Sequence, residues 1–127
     1  MAEFITTPKA PSAIGPYVQG RMAGNLLFVS GQLGIGSDGV LPPDFTSQAR
    51  NSLQNVRAIV EAAGSSVANV VKTTVFLSDM ANFAELNALY AEVFTAPCPA
   101  RSCIQVARLP KDALVEIEAV AERQDLL

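Results

Sequence analysis

The spacing of apolar and polar positions changes period several times along the chain, and each change marks a new element. Tyr17 to Met22 and Leu26 to Ser30 read as two strands joined through Ala23-Gly24-Asn25, a turn-forming cluster that closes a hairpin. The residues before them, punctuated by Pro8, Pro11, Gly15 and Pro16, read as an extended arm with turns, and Gly31 to Pro43 reads as a loop. Ala49, Leu53, Val56, Val60 and Ala63 then fall on one face of a helix. Asp44 or Thr46 can cap its start, and Gly64 stops it. Asn69 to Ser78 is β-branched and almost continuously apolar, which suits a strand buried on both faces. Phe83, Leu86, Leu89, Tyr90, Val93 and Phe94 return to helical spacing until Pro97 and Pro99 forbid continuation. Arg101 to Ala107 and Val115 to Glu122 alternate with period two, as strands do.

The order β-β-α-β-α-β-β predicts an α+β sandwich of two layers, with both helices on one face of a mixed sheet. The other face then has to be buried by something outside this chain. At 127 residues the sequence is too short for two ordinary domains, so one domain over 1–127 is expected. A 50% hydrophobic composition is more than so small a core can hide, and the surplus predicts self-association. A net charge of −3 gives little grip on a phosphate backbone, so no nucleic-acid partner is expected. The N-terminus lacks the pattern of a secretory signal, and no run is long enough to span a bilayer, so a cytoplasmic protein is expected. Cys98 and Cys103 have no histidine and no second cysteine pair to join them, which leaves no metal site and predicts two free thiols.

Candidate chemistry clusters late in the chain. Arg101 opens a strand next to apolar surface, and its planar fork of donors suits a carboxylate; a structural salt bridge is the competing reading. Glu116 and Glu118 point to one strand face, where mutual repulsion can raise the proton affinity of one carboxyl, or where both are simply solvated. Cys103 shares a face with Arg101, whose charge could lower the thiol pKa, although a free cysteine is commonly just a small buried apolar residue. Tyr17 and Ser30-Gly31 lie at the ends of the hairpin strands, and the backbone at Ser30-Gly31 can approach a ligand closely. Asn87 is a poor helix former inside a helix, which suggests a specific hydrogen bond.

These residues belong to longer blocks. Pro99-Ala100-Arg101-Ser102-Cys103-Ile104-Gln105-Val106-Ala107-Arg108-Leu109-Pro110, followed by Val115-Glu116-Ile117-Glu118, resembles the C-terminal signature of the Rid (YjgF) family. Ala13 to Gln19, Leu27 to Gln32, Gln48 to Asn55 and Lys72 to Leu77 resemble that family's other blocks in the same order. The resemblance implies a chorismate-mutase-like fold and a homotrimer with three ligand clefts between neighbouring subunits. It also implies hydrolysis of 2-imino acids, namely 2-iminobutanoate and 2-iminopropanoate or its enamine 2-aminoacrylate, to 2-keto acids and ammonia without metal or cofactor. In that scheme Arg101 holds the substrate carboxylate, and the backbone at Cys103 and Ser30-Gly31 positions the imine. Glu116 orients or deprotonates water, while Tyr17 and Asn87 line the cleft. Cys98 departs from the family, which commonly carries an aromatic residue just before Pro-Ala-Arg, and so bears on cleft shape. Two other readings are an endoribonuclease or translation inhibitor, which the acidic chain without His disfavours, and a non-catalytic keto-acid-binding or chaperone-like module, which would need Arg101 but have little use for Glu116.

Overall fold

A computed structural model describes residues 2–124. The first element is a strand that the pattern does not announce, β1 (Phe4–Ile5), antiparallel to β2 (Gly20–Ala23). Two residues are too few to display a period, and β1 forms because the arm folds back along β2 and buries Ile5. β2 starts three residues later than the alternation suggests. It turns through Gly24, at φ 60°, into β3 (Leu26–Leu33), which runs three residues further than expected.

The extension of β3 contains a β-bulge. Val29 pairs with Ala119 and Gln32 with Ile117, so Ser30 and Gly31 together stand opposite one residue, Glu118. Asp44 caps α1 (Phe45–Ala62) by accepting the Ser47 amide at 2.9 Å, and the chain leaves that helix through Gly64 at φ 83°. The apolar face of α1, including Ala49, Leu53, Val56 and Val60, lies against β3 and the last strand. A polar row on α1 does different work. Ser52 donates to the Gln32 carbonyl (2.7 Å), Asn51 to that of Gly34 (3.1 Å), and Asn55 to those of Leu33 (3.1 Å) and Ile35 (2.9 Å). Four successive carbonyls leaving β3 are thereby fixed by one helix.

β4 (Val70–Leu77), α2 (Phe83–Val93) and β5 (Ala100–Gln105) form a parallel crossover, the one parallel pairing in the described sheet. β6 (Val115–Glu122) inserts between β3 and β4 and is antiparallel to both, giving the order β1-β2-β3-β6-β4-β5. The result is the expected mixed α+β arrangement of two helices and a sheet, with six strands. Val75, Leu77, Val115, Ile117 and Ala121 are buried beneath the helices with no measurable exposure.

The expectation that β4 is buried on both faces is overturned. Thr73, Val75 and Leu77 are buried, but Thr74 and Phe76 are only half-buried, because both helices lie on one side, and Val71, at a register shift between Val70 and Lys72, is 41% exposed. The opposite face leaves Phe28 46% and Ile104 47% exposed, a large apolar surface for a sheet of this size. Among the described residues no helix is long and apolar enough to cross a membrane.

The grip of α1 on the 32–35 segment requires close approach. A Cβ on Gly34 would lie 2.1 Å from the Gln48 carbonyl oxygen, a backbone atom that cannot swing aside, whereas a Cβ on Gly36 meets first the end of the Asp38 side chain at 2.9 Å. Gly34→Ala is expected to cost about 3 kcal/mol in stability and Gly36→Ala less than about 1 kcal/mol. Urea unfolding of the two variants checks this difference.

Candidate active site

Arg101 pairs with Thr73 across the parallel ladder, and Thr73 pairs with Ala119, so all three side chains share the helix-covered face. There α2 meets the guanidinium with two rings: its Cζ lies 4.8 Å from the Tyr90 ring centroid and 5.6 Å from that of Phe83. The Tyr90 hydroxyl is fixed by a 2.7 Å hydrogen bond to the buried Thr73 hydroxyl. Among the described residues no carboxylate lies within 4.0 Å of Arg101, which removes the structural salt bridge as an explanation of this residue. Asn87, half-buried, sits four residues after Phe83 and three before Tyr90 and so on the same side of α2. Its expected specific hydrogen bond is not found among the described residues, which leaves the side-chain amide open at this face.

Cys103 follows Arg101 on the same face. The expectation of an activated thiol is corrected here: burial pushes the Cys103 thiol up, and the opposing pull of Arg101 is the smaller effect. Both cysteines are free thiols, Cys98 exposed and Cys103 half-buried.

A second group of residues surrounds a cavity of about 580 Å³ bounded by the N-terminal arm, the end of β3 and the turn before β6. Tyr17, Gly31 and Glu116 all line it. The bulge and the missing side chain at Gly31 make room for the carboxyl, since a Cβ at Gly31 would lie 2.7 Å from Glu116 Oε2. Burial raises the Glu116 pKa above its ordinary 4.5, and the charge of Glu118, two residues along the same face, raises it further. Glu116 is half-buried and Glu118 exposed, so the two carboxyls do not share one solvated environment. Ser30 plays a different part from the one expected. Its amide donates to the Gln19 carbonyl (2.9 Å) and its hydroxyl to the Val18 carbonyl (2.6 Å), so it braces the segment behind Tyr17 while Gly31 faces the cavity.

Two features of this wall escape a reading of the sequence. Gln19, 3% exposed, accepts the Thr7 amide (2.7 Å) and donates to the carbonyls of Thr7 (3.1 Å), Ala10 (3.2 Å) and Pro11 (2.7 Å), fastening the arm that encloses the cavity. The only signal was a glutamine in an otherwise ordinary strand pattern. Lys111 and Asp112 are consecutive non-glycine residues at φ 59° and 54°, and Arg108 grips Asp112 with two bonds (2.6 and 3.1 Å); Pro110 and Lys111 reach the cavity. Among the described residues no cluster of three or more His, Cys, Asp or Glu could hold a metal ion.

The two groups do not meet within one chain. Glu116 pairs with Phe76, and Phe76 with Ile104, so Glu116 points to the face opposite that of Arg101. Arg101, Asn87 and Cys103 form one half of the expected set, and Tyr17, Gly31 and Glu116 the other.

The comparisons with known proteins agree on what this arrangement resembles. A family model described as Endoribonuclease L-PSP matches residues 7–123. The chain is 54% identical over 128 aligned residues to the 2-iminobutanoate/2-iminopropanoate deaminase of Escherichia coli K12, covering 98% of this chain and 100% of the relative. Among solved structures, E. coli TdcF with bound serine is 51% identical, with a TM-score of 0.92 over 96% of this chain and 99% of that one. RidA from the Antarctic bacterium Psychrobacter sp. PAMC 21119 is 43% identical, with a TM-score of 0.92 over 94% of this chain and 98% of that one.

Gln19→Ala leaves buried backbone groups of the arm without partners. It is expected to cost about 2–3 kcal/mol of local stability and to speed amide hydrogen exchange at residues 7–12 well before the strands of the core, which exchange mass spectrometry resolves.

Proposed function

The chain belongs to the Endoribonuclease L-PSP family, the group also called Rid or YjgF, and from that membership we propose that it hydrolyses 2-iminobutanoate and 2-iminopropanoate to the 2-keto acids and ammonia. The observation that carries the reading is near full-length identity of 54% to a deaminase of that specificity. It is supported by an arginine with no acid partner among the described residues and a carboxyl of raised proton affinity, the two groups such a reaction needs.

The reading includes a site built from two copies of the chain, in a cytoplasmic homotrimer of chorismate-mutase-like single domains. Arg101 and Glu116 point to opposite faces of one sheet, so a substrate touching both has to lie between one chain's Arg101, Asn87 and Cys103 and a neighbour's Tyr17, Gly31 and Glu116. The exposed apolar face bearing Phe28 and Ile104 supplies a surface for that association.

Arg101 holds the substrate carboxylate in two parallel hydrogen bonds and thereby places the imine carbon in the cleft. Glu116 takes a proton from water as the water oxygen bonds to that carbon, which gives a carbinolamine. The nitrogen enters as iminium or takes a proton from Tyr17 in this step. It then takes the proton held by Glu116 and leaves as ammonia as the C–N bond breaks, while the carbinolamine hydroxyl gives its proton to the Glu116 carboxylate or the Tyr17 phenolate and the carbonyl forms. The raised pKa of Glu116 makes it a better proton acceptor than an ordinary surface carboxylate. Ser30 contributes by bracing the Tyr17 segment. Neither metal nor cofactor enters this scheme. A ribonuclease reading has to explain RNA binding by a chain of net charge −3 with no histidine.

Ammonia and keto-acid release from freshly generated 2-iminopropanoate and 2-iminobutanoate tests the proposal directly. Arg101→Ala is expected to lose catalysis and Arg101→Lys not to restore it, whereas Glu116→Ala keeps pyruvate binding and lowers turnover about 10²- to 10⁴-fold. Full activity in Arg101→Ala overturns the site assignment.

The pH profile makes a separate test. Because the Glu116 pKa is displaced upward, the acid limb of kcat/KM is expected to break above pH 4.5, with activity falling as pH drops through the raised value, and Glu116→Gln removes that limb together with most of the rate.

A further inference from the structure

We propose that Tyr90, together with Phe83, is a positioning residue for Arg101. The two rings form a cradle that aims the guanidinium at the substrate carboxylate. The inference rests on Arg101 being the carboxylate clamp, and it adds to that reading the reason an arginine without an acid partner keeps a defined orientation.

A guanidinium presents two distinct surfaces. Its faces attract the negative face of an aromatic ring, and its edge carries the five N–H donors. A carboxylate neighbour in the same chain would orient Arg101 but would consume the edge that the substrate needs. The Tyr90 and Phe83 rings, 4.8 and 5.6 Å from Cζ, hold the cation without drawing on those donors. The cradle is itself anchored. The Tyr90 hydroxyl is tied to Thr73, which is fully buried on β4 beside Arg101 in the ladder, and the Tyr90 ring packs against that of Phe94 at a centroid distance of 4.6 Å. Thr73, Tyr90 and Arg101 thus form a chain of contacts from the core of the sheet to the open edge strand.

The roles of ring and hydroxyl separate cleanly by substitution. Tyr90→Leu removes the ring and Tyr90→Phe keeps it. Tyr90→Leu is expected to raise KM for 2-iminopropanoate about three- to thirtyfold, the range of a partly desolvated cation–π contact, with kcat changed less than about threefold. Tyr90→Phe recovers most of that loss. Calorimetric titration with pyruvate and with its neutral amide, pyruvamide, supplies the readout that general loosening would not move: affinity for pyruvate falls in Tyr90→Leu while affinity for pyruvamide holds. Equal losses for both ligands, or an unchanged pyruvate affinity, overturn the proposal. Should Tyr90→Leu fail to fold, Phe83→Leu is expected to show the same split between the two ligands with a smaller amplitude, and its absence there is equally decisive. Wild-type protein that binds pyruvate but releases no ammonia from imines would refute the deaminase reading alone and leave the cradle to be judged by the titrations.

Discussion

The constraint on which the structure depends is the period of two along β4, β5 and β6. Successive side chains on a strand point to opposite faces, and the registers that pair Arg101 with Thr73 and Glu116 with Phe76 commit the cation to the helix-covered side and the carboxyl to the bare side. No rotamer change brings them together through the sheet. A one-residue slip of β6 would do so only by exposing Val115 and Ile117, both fully buried, so the side on which Glu116 lies is enforced by the same burial that holds the core, while a slip of β5 would turn out the half-buried Cys103. On the proposed two-copy site, association would cover the apolar surface that the helices leave bare and bring the two groups together.

The parts of this arrangement that were legible in the sequence are those with a local physical signature. Asp44 capping α1, Gly64 ending it, and the alternation of β6 each follow from a few neighbouring residues, and each stands as read. The bulge at Ser30-Gly31 leaves no such mark, because two residues facing one is a property of the partner strand as much as of β3. β1 was illegible for the opposite reason, being too short to show any pattern. Burial of β4 on both faces does not hold because Thr74 and Phe76 are β-branched or apolar on a face that these helices do not cover.

Side chains with two duties were the hardest to read. Phe83 and Tyr90 fit the helical spacing of a core face, and they do pack there, but the same spacing sets both rings against Arg101. Gln19 fits a strand and fastens an arm. Of the two readings of Cys103, a thiol lowered by Arg101 and a small buried residue, burial is the larger effect. For the two rings and for Gln19 the deciding partner lies far away in sequence, where periodicity carries no information.

The electrostatics of the two halves are complementary in a way that bears on catalysis. Among the described residues one half holds a cation with no carboxylate within 4.0 Å, and the other holds a half-buried carboxyl with Glu118 two residues along the same strand face. A site for holding keto acids would need the first half only, and a second negative group near a bound carboxylate would weaken it. Hydrolysis of an imine needs both, since the anion must be anchored and a proton must be taken from water at neutral pH. Burial and Glu118 push the proton affinity of Glu116 toward that task at some cost in local stability. A half-buried carboxyl beside a cavity, given room by a glycine whose Cβ would clash with it, has little use in anion binding and fits the proton transfer proposed for it.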